Sequence, residues 1–268
     1  VILRLTGAAV RAFLVAILVA LPAFLFKDTS YLALEFTRLL AAIAAIFVFY
    51  EYGFPSASVI EFRFTSPYNR IRFVLLAVML ASTCFFLSGP QFESGIMARL
   101  VACADQFYNL FSFEYSPVSI VAKTLAVGNP MLELAIGRSL SLNLVIGLVV
   151  IVVMGVLVFV NVWAVGGSSF NLWKNMPTYS GLDAEHFDQR LESSAFSSAL
   201  LGLLLPLFGP TLVDVAIVWI GDGTTVSPII MIWVLSFWIY LSTMYLMRAI
   251  ILAKIVFNLN ADAELVPA

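Results

Sequence analysis

An all-α fold is what this sequence predicts: a polytopic transmembrane helical bundle of about six spans. Three observations predict it. Leu140 to Gly166 contains no charged side chain, and roughly 20 apolar residues already carry a helix across the hydrocarbon core. Hydrophobic residues form 62% of the 268-residue chain and charged residues 11%, where soluble domains carry about 25% charged residues. Mean hydropathy is +1.03, and five further apolar stretches recur, so lipid must solvate much of the surface.

The expected spans cover 7–26, 32–54, 69–89, 139–166, 195–220 and 226–247, within one integral membrane domain over 1–268. In the first, Arg4 and Arg11 precede an apolar run that has the polarity of a signal sequence. No small-residue cleavage motif with a polar continuation follows, so it is expected to be a retained span. The second carries Glu35 and Arg38 in its first turns, spaced to pair at the interface. Ser66 suits an N-cap and Pro67 the first helical position of the third. The fourth contains the uncharged run. The fifth holds Pro206, Gly209 and Pro210 ahead of Asp214. Proline removes an amide donor and crowds the preceding turn, so a kink or break is expected there.

Region 90–138 is expected to be interfacial or re-entrant. Over 94–113, Arg99, Ala102, Asp105, Gln106, Asn109 and Ser112 share one helical face, and Ile96, Leu100, Val101, Phe107, Leu110 and Phe111 fall away from it. That period marks an amphipathic helix, lying flat on the outer surface or packed on the outer ends of the spans. A short re-entrant or interfacial helix follows Ser116-Pro117, ending at the Gly128-Asn129-Pro130 turn. An eight-span count is the alternative. Residues 167–194 form the long cytoplasmic loop, with Phe170, Trp173 and Tyr179 as headgroup anchors and Asp183 to Leu191 as a short helix. Trp163, Trp219 and Trp233 suit interfacial belts, and Trp238 suits packing. With both termini cytoplasmic, nine Lys and Arg residues lie inside and five outside, as the positive-inside rule favours.

Candidate chemistry is sparse. His186, the one histidine, lies in a polar stretch and is expected to be solvated; it cannot furnish a bis-His haem. Cys84 and Cys103 lack metal-site spacing; two separate buried thiols are expected, a disulfide being the alternative. No nucleotide loop, zinc-protease or serine-hydrolase motif is present, and the weak net charge of -2 gives no basic tract for nucleic acid. No cofactor is expected on the chain's own side chains, and structural lipids are. Asp214 is the charged residue well inside a late span; an intramembrane carboxylate is a functional-site hypothesis by default, and here it is expected to be structural, bonded to a polar group of the fourth span or of the 90–138 region, with an ion or proton relay as the alternative. Asn143 and Arg138 are expected within its reach, and Asn161 as interhelical glue. Arg63, Arg70 and Arg72 alternate with aromatics in an inner loop; with Trp173 they suit lipid headgroups or an acidic partner surface, or ordinary positive-inside anchoring.

Three segments carry a resemblance: EFRFTSPYNRIRF at 61–73, RLTGAAVRAFLVA at the start and FNLWKNMPTY after the fourth span. Together they resemble a family of uncharacterised polytopic inner-membrane proteins of purple bacteria. The resemblance implies a bacterial inner membrane rich in photosynthetic and respiratory complexes, and it assigns no catalytic residue. The expected function is a non-catalytic accessory, assembly or scaffold subunit of a larger membrane complex, with other integral subunits and lipids as partners. The alternative is a small-solute or ion transporter or channel using the broken fifth span around Asp214. A lipid-modifying enzyme ranks last, because no spacing brings acids and bases together.

Overall fold

The computed structural model describes residues 2–26, 31–54, 60–63, 67–89, 95–163, 175–176, 179, 184–220 and 227–264. Over these residues the fold is helical, with no strand. The helices are α1 (Ile2–Leu25), α2 (Tyr31–Gly53), α3 (Tyr68–Leu87), α4 (Gly95–Phe111), α5 (Pro117–Ala126), α6 (Pro130–Phe159), α7 (Ala184–Ile220) and α8 (Pro228–Glu264). Six are long and apolar enough to cross a membrane, with candidate spans Leu3–Leu25, Tyr31–Gly53, Tyr68–Leu87, Pro130–Phe159, Phe187–Val215 and Pro228–Leu259.

The centre is α3, α6 and α8, which pack against one another; α7 lies along α8, and α1 joins the centre through α3. Helix α2 packs against α1 and buries little else: Leu32, Phe36, Leu39, Ile43 and Ile46 are exposed, as suits a lipid-facing helix. The main core runs from Phe62, Tyr68 and Met79 through Leu140 and Met154 to Leu235, Ile251 and Leu252.

Several boundaries differ from the sequence reading because hydropathy marks the bilayer rather than the helix. Helix α6 starts at Pro130, not 139, because Asn129 caps it: the amides of Met131 and Leu132 donate to its side-chain oxygen at 3.1 and 3.2 Å. It ends at Phe159 rather than 166, where Asn161 adopts φ 58°. Asparagine tolerates that left-handed conformation. Asn161 is exposed and terminates the helix; it is not interhelical glue. Helix α7 begins eleven residues before the expected span and α8 runs past its expected end, because their polar ends continue the helix. Pro67 is the N-cap residue of α3, its carbonyl accepting from the amides of Arg70 and Ile71; Ser66 lies outside the described residues.

Region 90–138 supplies α4 and α5. Helix α4 lies on α6: Ala104 is fully buried in a cluster with Phe86 and Leu142. Asp105 turns inward to Arg138, whereas Ile96 and Leu110, read as part of the apolar face, are exposed. The rest of that face, Leu100, Val101, Phe107 and Phe111, packs against the bundle as expected. Helix α5 packs between α6 and α7, with Val118, Val121 and Ala122 buried.

Helix α7 continues through Pro206 and Pro210 without the expected break. A proline at 206 cannot donate to the carbonyl of Gly202. On α8 the Ser242 hydroxyl donates to that carbonyl instead, so the group is satisfied inside the apolar bundle. The Trp238 indole donates to the Leu205 carbonyl at 2.8 Å. Two glycines permit the approach: a side chain at Gly209 would collide with the Trp238 ring, and one at Gly202 with Leu246. Gly209→Val is therefore expected to cost about 1–3 kcal/mol, read as a lower melting temperature in detergent. Gly155→Ala, whose added carbon meets nothing within 4 Å, should leave that temperature unchanged or raised.

Candidate functional site

The site forms where the 60–63 turn meets the ends of α1, α2, α3 and α8. Phe62 is fully buried at φ 56°, an uncommon conformation for a bulky residue. Its amide donates to the Asn175 carbonyl at 2.7 Å, and Asn69 Nδ2 donates to the carbonyls of Glu61 and Phe62 at 3.0 and 3.1 Å. Its ring meets Tyr68 edge-on at 5.0 Å and Trp163 at 6.1 Å. Trp163, 7% exposed, is thus a core residue rather than an interfacial belt residue.

With Phe62 inserted, its neighbours splay to opposite sides. Glu61 accepts from Arg248 Nε and Nη2 at 2.8 and 2.9 Å, in a bidentate pair. Arg248 also donates to Ser198 Oγ at 2.7 Å and to Tyr179 Oη at 3.3 Å. Arg63 donates to the Glu51 carbonyl and stands 3.8 Å from the Glu51 carboxylate, both side chains being nearly buried. Burial lowers the Arg63 pKa from its ordinary value, and the Glu51 charge opposes that shift. Arg4 Nε donates to the Tyr52 carbonyl at 3.3 Å.

Beneath this layer lies a chamber of about 1270 Å³ between α1, α2, α3 and α8. Arg11, Arg70, Arg72 and the Glu61–Arg248 pair line its polar part; Leu14, Leu18, Phe73 and Leu76 line its apolar part. Arg11 stacks over Tyr52 at 4.9 Å and Arg72 over Tyr68 at 5.3 Å. Arg72 also donates to Asn69 Oδ1 at 3.2 Å and approaches Met244 Sδ at 2.7 Å. Arg70 is exposed.

The other expected site residues separate. Arg138 pairs with Asp105 in a bidentate contact at 2.5 and 2.9 Å. Next to that pair, burial raises the Tyr108 phenol above its ordinary pKa, with Glu133 adding to the shift. Asn143 joins a buried knot around Thr83. The hydroxyls of Ser139 and Ser236 lie 2.9 Å from Thr83 Oγ1 and Asn143 Nδ2 lies 3.0 Å from it, while Ser82 donates to Asn143 Oδ1 at 2.5 Å. Neither Arg138 nor Asn143 reaches toward Asp214, as the sequence reading expected. Asp214 is exposed on α7, and among the described residues none bonds to it. Trp173 lies outside the described residues, as do the side chains of His186 and Trp219. Cys84 is buried and Cys103 exposed, both free thiols. Among the described residues no cluster of His, Cys, Asp or Glu could hold a metal ion.

Sequence reasoning missed Arg11, Glu61 and Arg248 as one group. The available signal was the Glu-Phe-Arg triplet, in which opposite charges flank an aromatic. Thr83 carried no signal, because a threonine in an apolar helix bonds its own helix as readily as a neighbour. No known protein family, curated protein or solved structure matches this chain.

Arg248→Ala strips a largely buried carboxylate of its partner. The expected loss is about 3 kcal/mol, the lower end for a broken buried pair because both side chains keep some exposure, measured by unfolding in detergent. Replacing both, as Glu61→Leu with Arg248→Met, should recover most of it. Thr83→Val keeps the shape and removes the shared hydroxyl, for an expected loss of about 1–2 kcal/mol in the same assay.

Proposed function

We propose that this chain is a non-catalytic accessory, assembly or scaffold subunit of a larger membrane complex, seated in a bacterial inner membrane with both termini in the cytoplasm. One observation carries the reading: the interior polar groups are used to lock helices together. Glu61 and Arg248 join the 60–63 turn to α8, Asp105 and Arg138 join α4 to α6, and the Thr83 knot joins α3, α6 and α8. A rigid frame with its polar groups mutually bonded suits a partner-holding role better than passage of a solute. The transport alternative drew on a broken fifth span around Asp214, and that helix is continuous, with the Gly202 carbonyl that Pro206 releases taken by Ser242.

Orientation follows from charge. Arg4, Arg11, Arg63, Arg70, Arg72 and Arg248 gather around the starts of α1 and α3 and the middle of α8, and an excess of arginine favours the cytoplasmic side. The test is purification of the full chain from native membranes in mild detergent. Another integral membrane subunit is expected at fixed stoichiometry. Substrate flux into liposomes containing this chain alone, abolished by Asp214→Asn, would overturn the proposal in favour of transport.

A further inference from the structure

We infer that the chamber between α1, α2, α3 and α8 is a binding site for one anionic phospholipid, with the phosphate held by Arg11, Arg70 and Arg72 and the acyl chains lying along the apolar wall. The volume, about 1270 Å³, exceeds the roughly 300–1,000 Å³ of ordinary small-molecule pockets. Its lining is segregated in the sense an amphiphile requires. Charged and hydrogen-bonding groups come from Arg11, Glu61, Asn69, Arg70, Arg72 and Arg248, whereas Leu14, Val15, Leu18, Leu76 and Phe73 supply hydrocarbon.

The charge does not cancel within the chamber. Among the described residues Glu61 is the one acidic side chain in the lining, and Arg248 holds both of its oxygens. Three guanidinium groups therefore remain over one cavity. Two of them are positioned by rings, Arg11 on Tyr52 and Arg72 on Tyr68, which limits the conformational freedom each must lose to bind an anion. The third, Arg70, is exposed and, among the described residues, no side chain bonds to it. Planar guanidinium forks match phosphate oxygens.

The wall adds a second requirement. Helices α1 and α2 are lipid-exposed spans, and α2 reaches the centre of the bundle through α1. The gap behind them is lined by hydrocarbon side chains of the candidate spans, so acyl chains fill it where water or free phosphate would leave that wall unsolvated. Arg63, grouped with Arg70 and Arg72 in the sequence reading, belongs to the Glu51 contact instead.

The test uses the full chain in neutral detergent, with phosphatidylglycerol, phosphatidylcholine and inorganic phosphate as separate probes, read by native mass spectrometry and by melting temperature. Phosphatidylglycerol is expected to be retained at one per chain and to raise the melting temperature. Phosphatidylcholine and inorganic phosphate are expected to do neither. The Arg11→Gln and Arg70→Gln double variant removes cations whose side-chain bonds are local or absent, so the fold should persist. Its affinity for phosphatidylglycerol should fall about thirtyfold, from the contribution of each basic residue facing anionic lipid, while Arg190→Gln, outside the chamber, should bind as the parent does. Equal retention of phosphatidylcholine, equal stabilisation by inorganic phosphate, or undiminished binding by the double variant would each overturn the inference.

Discussion

The insertion of Phe62 between two oppositely directed charges is the contact on which the arrangement of this molecule depends. Helices α1 and α2 form a hairpin with little purchase on the centre of the bundle. The 60–63 turn supplies what the helices lack. Its aromatic ring is set among Tyr68 and Trp163, Glu61 is committed to α8 and Arg63 to the end of α2. A left-handed backbone at a phenylalanine costs about 1–3 kcal/mol and persists where its surroundings over-determine it. Here a buried ring, two ion pairs and three backbone-directed hydrogen bonds do so.

Away from that turn, the bundle is held by the forces available in lipid. Hydrocarbon side chains gain little by leaving acyl chains for one another, so close backbone approach and interhelical hydrogen bonds matter more. Both occur on the α7–α8 seam, where Gly202 and Gly209 admit Leu246 and Trp238, and where a carbonyl released by proline meets a serine. The Thr83 knot performs the same service between α3, α6 and α8. At Gly147 a Thr243 side chain closes in on α6, so small and hydroxyl residues mark each tight contact of α8.

The fold class was legible because it rests on composition and run length, which the bilayer imposes directly. The six apolar segments were legible for the same reason. Helix ends were not, since Asn129 and Asn161 set them through capping and left-handed geometry beyond the apolar run. At Pro206 the expected break is absent, because the effect of a proline depends on whether another helix supplies a donor, and Ser242 lies 36 positions further along. Site residues were partly legible. Arg70 and Arg72 stood out by their alternation with aromatics, whereas Arg11 and Arg248 reach the same chamber from α1 and α8, a convergence that only tertiary packing defines. Asp214 drew attention by chemistry alone, and Arg138 and Asn143, expected beside it, are engaged with Asp105 and Thr83 instead.

Helix α8 has a further consequence through its length. From Pro228 to Arg248 the helix rises about 30 Å at 1.5 Å per residue, close to the thickness of a typical hydrocarbon core. The Glu61–Arg248 pair stands at the end of that rise, and α8 continues beyond it, apolar to Leu259 and helical to Glu264. Wherever the bilayer surface falls along that length, the bidentate contact keeps both charges compensated, as a charge among hydrocarbon requires. A paired arginine thus lets one helix carry an apolar run longer than the hydrocarbon core is thick.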